Sequence, residues 1–216
     1  MNDVPRAQRE ALYRLLGDLP ARSAPPNAVK IGEVEIVFRE ASANDVEAIA
    51  ALHADSWRRH YRGAFLDSFL DGDAVADRQA VWGERLTAAG AYRFTVVADR
   101  NGVVVGFAHM ILDEDPQWGA LLDSLHVTHQ LKRQGIGSQL LGAAVHGLAR
   151  RRPADSRFHL WVLDQNTAAQ SFYAACGGTK VETTLRGPFP GGSRALCHRM
   201  AWPDAGVLLS TLSPGA

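Results

Sequence analysis

The residues with the clearest chemical potential lie between Leu121 and Leu141. An apolar run, Leu121-Leu122-Asp123-Ser124-Leu125-His126-Val127, leads through a short basic loop to two glycines. These open a second, helix-periodic apolar segment. The first amides of a helix have no intrahelical partners, and the macrodipole adds partial positive charge there. Glycines at 135 and 137 leave room for a phosphate to reach the backbone, and Lys132 and Arg133 add charge beside it. Lys132, Arg133, Gln134, Gly135, Ile136, Gly137 and Ser138 therefore read as a cradle for a diphosphate. A P-loop does not fit, because Ser138 follows Gly137 where a lysine is needed. A Rossmann fingerprint does not fit either: Leu140 stands in place of the third glycine, and the loop is long for a dinucleotide turn. His126 and His129 have HxxH spacing but no evident third ligand, so no metal site is expected.

The elements that must hold this segment follow from periodicity. Residues 34–39 alternate as a strand, and Ser42-Ala43-Asn44-Asp45 caps a helix running through Val46, Ile49, Leu52 and Trp57. A second helix is predicted over 73–89. Strands at 94–98 and 103–112 flank an Asp99-Arg100-Asn101-Gly102 turn, and 113–118 reads as a loop. The strand at 121–127 precedes a helix over 137–152, which ends in Arg150, Arg151 and Arg152 before Pro153. A strand at 157–163, a helix at 167–176 ended by Gly177-Gly178, and strands at 179–185 and 194–202 complete the order β-α-α-β-β-β-α-β-α-β-β. This is a mixed α/β layer fold with a βαβ unit over 121–163. Residues 1–32 read as an extension, in which Leu12, Leu15, Leu16 and Leu19 mark an amphipathic helix before a proline-rich linker. The main domain spans 33–202, and 203–216 reads as a tail.

Two motifs in this order resemble those of the GNAT superfamily of N-acetyltransferases. The family's Arg/Gln-x-x-Gly-x-Gly/Ala signature falls on Lys132-Arg133-Gln134-Gly135-Ile136-Gly137, with Lys in the first place. Its Asn…Ala…Phe-Tyr helix matches Asn166-Thr167-Ala168-Ala169-Gln170-Ser171-Phe172-Tyr173, followed by Gly177. Gly178 stands where the family most often has Phe. The resemblance covers roughly 34–202. It implies a central, mostly antiparallel sheet flanked by helices, with one splayed parallel pair that binds acetyl-coenzyme A. It also implies direct attack of a primary amine, on a small molecule or peptide, in a ternary complex that needs no metal. The pantetheine arm is expected along Leu125, His126 and Val127, with Asn166 as a further contact or as a helix cap. Family members are often homodimers.

Within the resemblance, Tyr173 is the expected general acid, since a phenol keeps its proton at neutral pH. The family's usual base, a Glu at the start of the signature strand, is Leu121 here. Asp123 is the nearest carboxylate and the leading base, with Glu40, His126 and a water relay as alternatives. Strand parity puts residues 121 and 123 on one face unless a bulge intervenes. Ser56-Trp57-Arg58 with Tyr61-Arg62-Gly63 resembles a subfamily pattern, placing Trp57 and Tyr61 at the acceptor cleft or, for Trp57, in the core. Trp118 is expected at the cleft rim, and Met110 and Cys176 in the core.

Composition bounds these readings. The chain has 216 residues with 23 basic and 23 acidic side chains, so its zero formal charge suggests neither nucleic acid nor an anionic membrane as partner. Two cysteines, Cys176 and Cys197, make no disulfide framework. No apolar run approaches the roughly 20 residues that span a bilayer, and a cytoplasmic location is expected. Two other readings stay open: a non-catalytic acyl-coenzyme-A sensor, suggested by the missing glutamate at 121, and a nucleotide-dependent enzyme.

Overall fold

The computed structural model describes residues 28–31, 34–87, 92–189 and 192–212. The amphipathic segment expected within residues 1–20 lies outside them. Among the described residues eight strands form one sheet: β1 (Ala28–Ile31), β2 (Val34–Glu40), β3 (Arg93–Arg100), β4 (Val103–Asp115), β5 (Gly119–Val127), β6 (Phe158–Leu163), β7 (Thr179–Arg186) and β8 (Ala195–Trp202). Their spatial order is β1-β2-β3-β4-β5-β6-β8-β7. Every neighbouring pair is antiparallel except β5–β6. This is the mixed sheet with one parallel pair that the motifs imply. The helices are α1 (Val46–His60), α2 (Asp67–Asp71), α3 (Ala74–Thr87), α4 (Ile136–Arg151), α5 (Thr167–Ala175) and α6 (Ala205–Leu212).

Each face of the sheet buries its own apolar set. On one side, Leu140, Leu141, Ala144, Val145 and Leu148 of α4 pack on Phe94, Val96, Ala108, Met110, Leu122 and Leu160, joined by Tyr173 of α5, Cys176 just after it and Leu208 of α6. On the other, Ile49 and Ala50 of α1 and Trp82 of α3 cover Val97 and Phe107. A third cluster continues along this face with Trp57, Phe65, Leu70, Leu163 and Cys197.

Several elements differ from the sequence reading. β1 adds an edge strand inside the stretch assigned to the extension. β4 runs to Asp115, so the expected 113–118 loop shrinks to a turn. The helix expected over 73–89 begins at Ala74, with the separate one-turn α2 before it. Residues 205–212, read as tail, form α6, whose Leu208 is fully buried. Among the described residues no helix is long and apolar enough to cross a membrane.

Candidate active site

The parallel pair opens almost as soon as it forms. β5 and β6 are level only at Ala120–Phe158 and Leu121–His159. From there β6 stays with β8 along its whole length, up to Leu163–Cys197, while β5 stays with β4 as far as Val127–Gly106. The backbone edge of β5 from Leu122 to Val127 therefore faces a gap. Gly119 sets the entry to this pair: its φ is +78°, and a Cβ there would lie 2.2 Å from the Arg157 carbonyl oxygen.

At the open end the chain leaves Val127, makes a 3-10 turn over His129–Leu131 and enters α4 with Gly135 as N-cap at φ +80°. Arg133 also takes a left-handed conformation. The Leu131 amide donates to the Thr128 carbonyl at 3.1 Å, the Lys132 amide to His129 at 3.3 Å, and the Gln139 amide to Gly135 at 3.1 Å. Between them, the amides of residues 133–138 donate to no acceptor among the described residues. The free window thus starts at Arg133 rather than at Lys132, whose amide closes the 3-10 turn. The Lys132 side chain turns to the end of α1, where Nζ lies 2.6 Å from Nε2 of His60. Ser138 Oγ donates to the Gly135 carbonyl at 2.8 Å. A Cβ added at Gly137 would make only ordinary contact with the Phe172 ring of α5, at 3.7 Å.

Tyr173 follows Phe172 and is 9 % exposed. Its ring centroid lies 5.2 Å from that of Phe172 and 6.3 Å from that of Trp202. Its hydroxyl makes no hydrogen bond among the described residues. Burial, with a smaller contribution from nearby Tyr61, pushes its pKa above the ordinary phenol value. Tyr61 comes from the cluster on the opposite face, where burial pushes it up to about 12. Asn166 caps α5, its Oδ1 accepting from the Ala169 amide at 3.2 Å. Trp57 is core: it packs edge-on to Phe65 and lies under the Arg78 guanidinium, 4.2 Å away. Tyr61 is half-buried against Phe65. Trp118 is half-buried, with the Arg199 guanidinium 5.5 Å from its ring.

Asp123 sits at a bulge. His109 pairs with Ser124 while the next residue, Met110, pairs with Leu122, so Asp123 has no partner opposite. Leu122, Leu125 and Val127 keep to the α4 side, and Asp123 turns to the α1–α3 side with His126. There Arg85 of α3 donates to Asp123 Oδ2 at 2.7 Å, and Ser124 Oγ donates to the same oxygen at 3.1 Å. Burial raises the carboxyl pKa, but the charge of Arg85 and these hydrogen bonds outweigh it, so the net shift is downward. His126 Nδ1 is 2.8 Å from Ser56 Oγ, and burial takes its pKa down to about 3. Its ring lies 4.6 Å from that of His53, whose Nδ1 accepts from Trp82 Nε1 at 3.1 Å. Glu40, the other carboxylate considered, pairs with Arg151 at the far end of α4. The sequence reading did not find Arg85 or His53, nor give Ser56 a part. Their partners lie 29 to 70 positions away, and only the seating of α1 and α3 on the sheet brings them in.

The chain matches the acetyltransferase (GNAT) family over residues 49–177, more than half its length. It is 28% identical over 181 residues to the N-acetyltransferase YuaI of Bacillus subtilis, a match covering 82% of this chain and 99% of that protein. Among solved structures, it resembles the PaiA N-acetyltransferase of Thermoplasma acidophilum in complex with coenzyme A. That likeness has a TM-score of 0.61 at 19% identity, over 76% of this chain and 97% of that one. It also resembles the ribosomal-protein-alanine N-acetyltransferase of Brucella melitensis, with a TM-score of 0.58 at 21% identity, over 77% and 99% of the two chains. These structures share the fold of the chain, and the family match over more than half its length places the chain in the acetyltransferase (GNAT) family.

Proposed function

We propose that the protein transfers an acetyl group from acetyl-coenzyme A to a primary amine of a small molecule or peptide. The observation that carries this reading is the row of unbonded amides at 133–138, at the mouth of the gap between β5 and β6. A helix N-terminus with free donors suits a diphosphate, and the unpaired edge of β5 offers peptide groups to a pantetheine arm around Leu125, His126 and Val127. When bound, the thioester supplies an activated acetyl carbon. Asn166 caps α5 through Oδ1 alone, and its side-chain nitrogen, which has no partner among the described residues, is available to the same arm.

Tyr173 keeps its proton at neutral pH and has no acceptor for it among the described residues, so its hydroxyl can donate to the departing sulphur. Asp123 is a paired anion, and a carboxylate held below its ordinary pKa is a weak proton acceptor. It suits the attraction and orientation of an ammonium group, with water taking the proton. Tyr61 and the aromatic cluster around Phe65 and Phe189 offer an apolar wall to the acceptor.

The test is calorimetry against coenzyme A, NAD and ATP, followed by a thiol-release screen with acetyl-coenzyme A and a broad amine panel. Selective coenzyme A binding with thiol release for some amines supports the reading. Preference for NAD or ATP overturns it. Tight coenzyme A binding without turnover across the panel replaces it with a sensor, the reading that the ion-paired Asp123 favours.

A further inference from the structure

A second group of ligand-bearing side chains lies at the closed end of the gap, where β5 and β6 are still paired. Glu114 and Asp115 end β4, and His159 is level with Leu121 of β5. One donor atom from each of the three lies within 4.8 Å of the others. His159 is fully buried; the Trp118 backbone lies within reach of its ring, but neither ring nitrogen makes a well-aligned hydrogen bond among the described residues. Its Nε2 nonetheless points to Glu114, 3.4 Å from Oε2, without the alignment of a hydrogen bond. Buried polar atoms are nearly always satisfied. Here a buried imidazole faces a carboxylate that has no cationic partner among the described residues.

A divalent cation accounts for both. A neutral imidazole has a lone pair to give, and neither nitrogen of this buried ring is committed to a well-aligned hydrogen bond among the described residues. Ligands bound at about 2.0–2.2 Å in a tetrahedron stand roughly 3.3–3.6 Å apart, which brackets the 3.4 Å between His159 Nε2 and Glu114 Oε2. Asp115 is held from behind: Oδ2 accepts from Arg199 Nη1 at 2.9 Å, and Oδ1 from the amides of Gln117 and Trp118 at 2.8 and 3.0 Å. Metal-binding carboxylates are commonly fixed by such hydrogen bonds. Arg199 also pairs with Glu182 at 2.9 Å, which shares out its charge, and Arg157 is taken up by Asp155. The Arg199 charge weakens the Asp115 contribution and leaves Glu114 and His159 as the principal ligands.

We propose that Glu114, Asp115 and His159 bind one divalent transition-metal ion of the zinc class, with the fourth position open to water. Such an ion would tie β4 to β6 across the start of β5. The proposal does not depend on the acetyl-transfer reading.

The test uses the full chain, without an affinity tag and stripped with a chelator, titrated with cobalt(II). The expected result is one equivalent bound with visible absorption of a four- or five-coordinate ion. Zinc should displace the cobalt and raise the thermal midpoint by several degrees. Glu114→Gln alters a side chain at the surface and should weaken cobalt binding by at least about tenfold while leaving coenzyme A affinity unchanged. His159→Asn should do the same where it folds. No absorption at millimolar cobalt, or equal affinity in Glu114→Gln, overturns the proposal.

Discussion

Replacing Ser138 by Asp separates the cradle from the helix that builds it. Ser138 is the third residue of α4, where a carboxylate favours the helix by about 0.3–1 kcal/mol through the macrodipole. The substitution also loses the Ser138–Gly135 hydrogen bond, about 1 kcal/mol, so net stability should hardly change. A bound diphosphate on the 133–138 amides would meet the new charge at roughly 5 Å. At an effective dielectric near 20 one charge pair at that distance repels by about 3 kcal/mol, and physiological salt roughly halves this. Coenzyme A affinity should therefore fall by roughly 20- to 200-fold, and the loss should grow as ionic strength is lowered. The assay is calorimetry at two salt concentrations beside a thermal melt. A folded variant that binds coenzyme A within twofold of the parent would refute the assignment of these amides to the diphosphate.

Further expectations concern other parts of the molecule. Tyr173→Phe removes a hydroxyl that bonds to no described residue, so stability and coenzyme A binding should hold while turnover falls by at least about 100-fold; unchanged turnover sinks Tyr173 as the donor. Asp123→Asn should raise KM for a cationic amine by roughly tenfold or more and spare coenzyme A binding, so a KM that does not move removes Asp123 from the acceptor site. Gly119→Ala should destabilise by at least about 3 kcal/mol in urea unfolding, since its Cβ would meet the Arg157 carbonyl in a left-handed conformation; a near-neutral result would contradict the tight β5–β6 entry. His53, His109 and His126 are held neutral by burial, His109 with its pKa down to about 4 and His126 to about 3. Because their folded pKa values lie below the unfolded one, the unfolded chain binds more protons between pH 6.5 and 4, and stability is lost as pH falls through that window. The loss is up to about 1.4 kcal/mol per histidine per pH unit, and a flat urea midpoint from pH 7 to 5 would refute it.

What could be read from the sequence was what local chemistry fixes. The strand–loop–helix from Leu121 to Arg151 carries its own signals in apolar spacing, glycines and a basic last turn, and its elements lie within a few residues of expectation. β1 was hidden because Ala-Val-Lys-Ile is too short to show a period, and its pairing with β2 is what makes it a strand. α6 did have a signal: Pro203-Asp204 precedes it, and Asp204 Oδ1 accepts the Gly206 amide at 2.6 Å, as an N-terminal cap does. Arg85, Ser56 and His53 had none, since no local rule says which face of α1 or α3 lies over β5. Gly178, the departure from the family pattern, becomes intelligible only through Trp202. That ring occupies the space, with an added Cβ only 2.5 Å from Cζ2, while stacking on Phe158 at 4.5 Å and donating to the Cys176 carbonyl at 2.9 Å.

The bulge at Asp123 shows how closely legibility and function meet. A regular strand returns a side chain to the same face every second residue. Leu122, Leu125 and Val127 all pack on the α4 side, yet the first two are three residues apart. One extra residue must therefore sit between them, and Asp123–Ser124 is the only place for it. The strand pairing shows this bulge, and with it Asp123 leaves the core and joins His126 on the α1–α3 side. Without the extra residue, one of Asp123 and His126 would lie in the α4 core, or else Leu122 or Leu125 would be exposed. The same irregularity spares β5 that choice and places a carboxylate beside the gap, where Arg85 can hold it.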